Sequence, residues 1–306
     1  MALDTARAIT TVRDLTRSFD DGVRAATPFW PAIATLNTST GSDEKYGLLG
    51  AMPAVREWLG DRVFNTLRGG SYTIENRSWE NSLQIEREDI EDDRLGMYGP
   101  VLQQMGNEAS YHPDELMFEQ IVLGLTTACW DGQFFFDTDH AWGDSGTQSN
   151  DLTYNASDHT AVTAAEFLAA YHVNLQTMTK FKRDNGKFYH RPTIKGMGSM
   201  MVVVPPELRE AATTAFESAL LGGGNTNVVL DKPQVVVSPH LTDASAFYTF
   251  HTGQALKPFV FQARRPLARQ MKGLDDREFK AVKFMTDARY AVGFLAWWNA
   301  VYCDFN

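Results

Sequence analysis

Only two cysteines, Cys129 and Cys303, occur in the 306 residues. They are too few for a disulfide framework and suit a reducing cytoplasm. No run of about 18 apolar residues is present, so no membrane-spanning helix is available. The start, Met1-Ala2-Leu3-Asp4, carries charge where a secretory leader needs an apolar stretch. Lysine is missing altogether from Tyr46 to Thr179. No repeat of about 20–50 residues is evident, which excludes a solenoid. The basic residues form no dense stripe and the sequence pI is near 5.2, so a tight grip on nucleic-acid phosphates is excluded.

Catalytic signatures are also scarce. Gly196-Met197-Gly198 lacks a third glycine and precedes an apolar run, which does not match a dinucleotide fingerprint. Gly222-Gly223-Gly224 lacks the lysine of a phosphate loop and reads as a flexible tip. No Gly-x-Ser-x-Gly elbow occurs. No cofactor is indicated. One cluster carries metal-ligating types: Asp137, Asp139 and His140 could share a divalent ion. That pattern keeps one alternative open, a divalent-metal-dependent enzyme. Turn chemistry is the commoner use of Asp-Thr-Asp, however.

What is present is a core and a strong asymmetry of charge. Hydrophobic residues make up 43% of the chain and aromatics 12%, enough to fold. The net charge is −10. From Met1 to Lys45 it is −1. From Tyr46 to Thr179 there are 6 arginines against 21 acids, net −15. From Lys180 to Asn306 there are 17 basic and 11 acidic residues, net +6. Complementary charge of this kind steers encounter and fixes register between partners, so the acidic part of one copy is expected to dock on the basic part of another.

Residues 1–45 read as an arm. Ile9, Val12, Leu15 and Phe19 carry a helical spacing. Thr27-Pro28-Phe29-Trp30-Pro31 is then expected to exclude helix, because each proline makes its predecessor extended. Phe29 and Trp30 have no obvious local partner. Pro53 to Leu67 is helical or mixed. Ser71 to Arg87 alternates as a strand or long hairpin, with Tyr72, Ile74, Trp79, Leu83 and Ile85 too few per face to bury it alone. It therefore needs a second surface. Arg87 to Arg94 is intensely acidic and opens a helical pattern. His112-Pro113-Asp114-Glu115 reads as a second helix start. Helices are predicted over Leu116–Ala128, Thr163–Phe181 and Glu207–Leu221. Strands are predicted over Phe134–Phe136, Met200–Val204, Val228–Leu230, Gln234–Val237, Ala246–His251 and Pro258–Ala263. Two apolar runs, Phe279–Met285 and Tyr290–Cys303, close the chain. The fold class is α+β.

Certain strings occur together: Tyr46-Gly-Leu-Leu-Gly-Ala-Met-Pro53, Tyr72-Thr-Ile-Glu-Asn-Arg77, Arg87-Glu-Asp-Ile-Glu-Asp-Asp93, Thr126 to Phe134, Phe136 to His140, Val202 to Pro206 and Val235 to Pro239. With them the chain resembles, over nearly its whole length, the major head subunit of Mu-like bacteriophages. That family is similar in fold to the capsid proteins typified by phage HK97. The resemblance implies an N-arm at 1–45 and an extended loop at 46–90 that reaches over a neighbour. It implies a peripheral domain with a long spine helix at 91–195, an axial domain at 196–260, and a return to the peripheral domain at 261–306. It implies a major capsid protein, not an enzyme, forming the hexamers and pentamers of an icosahedral head around double-stranded DNA. Inter-subunit contact is expected at Phe29, Trp30, Tyr72, Ile74, Trp79, Glu86, Glu88, Asp89, Asp92 and Gly222 to Gly224 (Gly222, Gly223, Gly224). Expected partners are copies of itself, a separate scaffolding protein and a portal, packaged DNA without sequence preference, and in some heads a decoration protein. No membrane partner is expected. The setting is the virion, assembled in the host cytoplasm. Some capsids of this fold are cross-linked by a Lys–Asn isopeptide bond, with the lysine on the extended loop. The lysine-free stretch 46–179 implies a non-covalent shell instead. The short segment before the loop leaves no room for a fused scaffold.

Overall fold

The computed structural model describes residues 5–46, 72–86, 88–89, 95–190, 197–217, 220–221, 225–226, 232–272 and 281–306. The arm forms helix α1 (Thr5–Ala25). Leu15, Phe19 and Val23 recur every four residues and so share one face. Their neighbours are Leu102, Met105, Ile85 and Phe284. A single-turn helix, α2 (Trp30–Ile33), then corrects the expectation that Pro28 and Pro31 exclude helix here. Pro31 sits in the first turn, where its missing N–H has no intrahelical acceptor to lose.

Four strands follow: β1 (Ala34–Thr38), β2 (Asp43–Tyr46), β3 (Tyr72–Glu75) and β4 (Arg77–Glu86). The 53–67 segment lies outside the described residues. So does the acidic run, apart from Glu88 and Asp89. Helix α3 (Tyr98–Leu123) runs unbroken through Pro113, so His112–Glu115 is not a second start. An internal proline costs a helix about 3 kcal/mol. Burial of Leu102, Met105, Met117, Phe118 and Ile121 on either side offsets it, at roughly 2 kcal/mol per large side chain.

Strand β5 (Asp151–Tyr154) precedes helix α4 (Ala164–Lys180). The start of α4 is set by a capping box: Glu166 N–H donates to Thr163 Oγ1 at 3.3 Å, and Thr163 N–H donates to Glu166 Oε2 at 3.0 Å. Strand β6 (Met200–Val204) leads through one 3₁₀ turn into α5 (Arg209–Glu217). The expected helix to Leu221 is therefore shorter, and Leu220 belongs to a strand. The pair β7 (Leu220–Leu221) and β8 (Asn225–Thr226) brackets the glycine tip, which is outside the described residues, as is Val228–Leu230. Strands β9 (Gln234–Val237), β10 (Ala246–His251), β11 (Phe259–Lys272), β12 (Ala281–Phe294) and β13 (Ala300–Phe305) complete the chain. Phe134–Phe136 is not a strand. It makes one isolated bridge, Ala128 to Phe134, and leaves Phe134 exposed.

Two sheets carry the structure. The first has order β1-β11-β12-β4, with β1 parallel to β11 and the rest antiparallel. The second has order β5-β13-β10-β6-β9. β6 and β10 are buried throughout, which explains the unbroken apolar run of β6. Alternate residues of β6 serve two cores. Val202 and Val204 meet Phe167, Tyr171 and Phe216 of α4 and α5. Met201 and Val203 face the larger cluster with Ile121, Phe135, Phe136 and Phe294, which joins this sheet to α3 and the first sheet.

Two sets of strand pairings cross the expected boundaries. The ribbon at 72–86 is not a free hairpin: β4 pairs with β12 from Ala281↔Glu86 to Tyr290↔Arg77. Its second surface is the chain's own C-terminal part, which local alternation could not reveal. The five-stranded sheet also reaches beyond 196–260, drawing in β5 and β13 from far along the chain.

Candidate functional site

The Asp137, Asp139 and His140 set is not assembled. Asp137 accepts the N–H groups of Phe134 at 3.0 Å and Thr138 at 2.7 Å, the turn chemistry of its Asp-Thr-Asp string. Asp139 is exposed. His140 is fully buried and turns to Asp131 instead, Nδ1 to Oδ2 at 2.7 Å, with its ring stacked on Trp297 at 4.0 Å. Cys129 Sγ donates to the other oxygen of Asp131 at 2.9 Å.

Among the described residues, Cys129, Asp131 and His140 are thus the one group of ligating types that converges. Burial opposes the charge on Asp131, but the hydrogen bond and charge of His140 outweigh it and hold the carboxyl below its usual range. Burial and the neighbouring carboxylate push the Cys129 thiol far up. A thiol held protonated is a poor nucleophile and a poor ligand. The three groups act as a hydrogen-bonded brace for the 129–140 loop.

The expected contact residues divide into two sets. Phe29 stacks on Phe118, with centroids 5.1 Å apart and planes at 7°. Trp30 stacks on Phe261 at 4.2 Å. Both backbone N–H groups donate to the Asp114 carboxylate at 2.7 Å. This clasp corrects the view that the arm aromatics lack a local partner. Tyr72 OH accepts the Phe294 N–H. Ile74 is buried against Gly293, where an added Cβ would lie 2.3 Å from Ile74 Cδ1. Trp79 Nε1 donates to the Tyr290 carbonyl at 3.1 Å. Glu86 and Glu88 are exposed, and Asp89 accepts from Tyr98 OH at 2.6 Å. Asp92 and Gly222 to Gly224 lie outside the described residues.

Residues 47–71 leave and re-enter at the paired ends of β2 and β3, Tyr46 opposite Tyr72. A buried polar network fixes that root. Gln262 Nε2 donates to Ile74 O at 3.1 Å and Asn76 Oδ1 at 2.9 Å, and Gln262 Oε1 accepts from Tyr46 OH at 2.9 Å. Asn76 Nδ2 donates to Ser39 Oγ at 2.8 Å. Sequence reasoning passed over Gln262 and Asn76. A lone glutamine ending the Phe-Val-Phe run was the available signal, since buried amides need partners.

Beside the root runs a groove of about 300 Å³ between α3 and the β4–β12 pair. His112 and Trp79 meet in it at 4.4 Å, and His112 Nδ1 lies 2.7 Å from Tyr290 OH.

The family model of the Mu-like prophage major head subunit gpT matches residues 9–171, 160–241 and 242–304. The Mu-like prophage FluMu major head subunit of Haemophilus influenzae is 40% identical over 151 residues, 49% of each chain. The major capsid protein of Escherichia phage Mu is 39% identical over 124 residues, 40% of this chain and 41% of that one. The chain thus spans about half the length of the curated relatives it matches, or less. Among solved structures, the procapsid of bacteriophage JBD30 superposes with a TM-score of 0.57 at 24% identity, covering 99% of this chain and 77% of that one. A virus-like particle from Pyrococcus furiosus gives 0.57 at 11% identity, covering 94% and 96%. These likenesses show an α+β fold of the HK97 capsid type. The family match runs almost from end to end, through the arm, both sheets and the closing strand, and by it the chain belongs to the Mu-like prophage major head subunit gpT family.

Proposed function

We propose that this chain is a major capsid subunit that builds the icosahedral head of a tailed phage as hexamers and pentamers around double-stranded DNA. The family match along the chain carries the reading. The fold supports a structural role: in its converging polar group, Asp131 is engaged by Cys129 and by His140 Nδ1 and so braces the 129–140 loop.

In this reading α3 is the spine of the peripheral domain, together with the four-stranded sheet. The five-stranded sheet with α4 and α5 is the axial domain. Residues 47–71 reach a neighbouring copy from the root fixed by Gln262. Head-to-tail contacts between the −15 and +6 parts close into rings, as heterologous interfaces do. Exposed Glu86 and Glu88 serve such contacts directly. The arm aromatics and Trp79 shape the surface from beneath. A scaffolding protein and a portal take part in assembly in the host cytoplasm. Electron microscopy of the purified protein, alone and with scaffolding protein, tests the reading. Shells or five- and six-membered plates are expected, and a strictly monomeric protein under both conditions overturns it.

A further inference from the structure

We propose that the groove between α3 and the β4–β12 pair receives an arginine side chain from the Lys180–Asn306 part of a second copy of this chain. The proposal rests on the capsid reading and adds a specific docking point to it.

The floor of the groove is aromatic and apolar, with Trp79, His112, Tyr290 and Leu267 facing it. Its α3 wall carries Glu108 and Glu115, one on each side of His112. Both are exposed. Glu108 accepts only from Gln104 Nε2, at 2.8 Å, and Glu115 has no partner among the described residues. A third carboxylate, Asp287, is already neutralised by Arg265, and a fourth, Glu80, accepts from Ser82 Oγ at 3.0 Å. The groove therefore offers flat π faces beside the Glu108 and Glu115 carboxylates, which no cation among the described residues occupies.

That combination suits a guanidinium better than an ammonium. A guanidinium stacks on an aromatic face while its N–H groups bond carboxylate oxygens in its plane. A cavity of about 300 Å³ holds such a group with its stem. The charge balance names the source. The α3 wall and strand β4 belong to the part of the chain with 21 acids against 6 arginines, whereas β12 and Leu267 come from Lys180 to Asn306, which carries an excess of base, net +6. Like charge excludes most of the acidic part from the groove, and complementary charge steers the basic part of another copy towards it.

The test uses the full chain under conditions in which the parent assembles. The double variant Glu108→Gln with Glu115→Gln should need an about tenfold higher protein concentration for half-assembly in light scattering. Its assembly should also respond less to salt, while the unassembled protein keeps the parent's thermal midpoint. Glu119→Gln, further along the same helix and outside the groove, should assemble as the parent does. In parallel, a photo-cross-linking benzoylphenylalanine placed at Leu267 should capture an arginine-bearing peptide from Lys180–Asn306 of another copy. Parent-like assembly and salt dependence in the double variant overturn the proposal. So does a cross-link that joins no second copy or reaches a peptide without arginine. If the double variant does not fold, the cross-link alone decides. A parent that never oligomerises removes the capsid reading and the groove with it, a different result from a parent that assembles while the double variant matches it.

Discussion

Replacing Gly106 by alanine should strain the seat of the arm helix on the body. Helices α1 and α3 cross backbone to backbone. A Cβ added at Gly106 would stand 2.2 Å from the Phe19 carbonyl oxygen and 3.0 Å from Val23 N. Across the contact, a Cβ at Gly22 would stand 2.0 Å from the Gln103 carbonyl oxygen. No rotamer change relieves either clash, since both partners are main chain. One helix must move by about 1 Å, and tight cores lose about 1–3 kcal/mol to such overpacking. Alanine returns about 1 kcal/mol of helix propensity. If strain exceeds the docking energy, α1 lifts off and exposes Leu15 and Phe19, roughly 2 kcal/mol each. The expected net loss is thus about 0–3 kcal/mol. Gly22→Ala with Gly106→Ala should fall short of additivity, because both act at one crossing. Urea unfolding of the unassembled protein gives the loss, and hydrogen exchange shows whether α1 amides open first. Gly99→Ala sets the sign, since its Cβ meets only Ser18 Oγ at 3.5 Å; it should stabilise by up to about 1 kcal/mol. A Gly106→Ala protein as stable as Gly99→Ala would refute the close crossing.

The remaining predictions concern charge, pH and covalency. Asp114→Asn should cost about 1–3 kcal/mol in urea unfolding, because it sets an amide donor against the Phe29 or Trp30 N–H; an unchanged midpoint argues against the clasp. Burial lowers the His190 pKa from 6.5 to about 4, with His251 and Arg183 adding to the shift and a hydrogen bond to the Trp298 carbonyl opposing it. The folded state holds the neutral ring, so this stability is complete above about pH 6.5 and declines as pH falls towards 4, by about 2 kcal/mol at pH 5. His190→Gln should flatten that slope in unfolding measured from pH 7.5 to 5. Glu88→Lys with Asp92→Lys should reduce shell yield by light scattering while leaving the thermal midpoint of unassembled protein within about 1 °C, since an exposed charge such as Glu88 contributes little to folding. Boiling assembled shells in detergent should release single chains on a gel, because no lysine lies between Tyr46 and Thr179.

The elements most legible in the sequence were those whose local pattern matched their final burial. Thr163 and Glu166 announce α4 by their capping box, and the Met200–Val204 run announces a strand covered on both faces. The misread elements depend on distant chain. Pro113 looks like a helix start because a proline in the first turn is cheap. Only the packing of Met105, Met117 and Ile121 makes the interior position tolerable. Asp114 looks like a first-turn acid, yet its carboxylate serves N–H groups 84 and 85 residues away. Arg264–Lys272 gives no strand signal, since β11 beyond Gln262 is mostly exposed and bulged near Pro266. It is held by pairing with β12, not by burial. For the candidate cluster, His140 was legible as a polar residue with chemical potential, but its partners were not. Asp137 and Asp139 neighbour it in sequence, while the fold delivers Asp131 and Cys129.

The root network bears on how contact between copies would reach the body of the subunit. Gln262 is the residue after Phe261, the ring on which Trp30 stacks, and it pairs with Ala291 of β12. Through Tyr46, Asn76 and Ile74 it also holds both ends of the β2–β3 ribbon. In the capsid reading, a load on residues 47–71 from a neighbouring copy therefore enters the first sheet at the strand where Trp30 rests. Because the stem is hydrogen-bonded before any contact forms, docking need not supply the ordering of those residues, a cost of roughly 1–2 kcal/mol per backbone residue fixed. The same rigidity makes the root a coupling point. Gln262→Leu would leave the Asn76 and Tyr46 groups without their partner at a buried site. The ribbon should then loosen from the sheet, and assembly should weaken even where the core still folds.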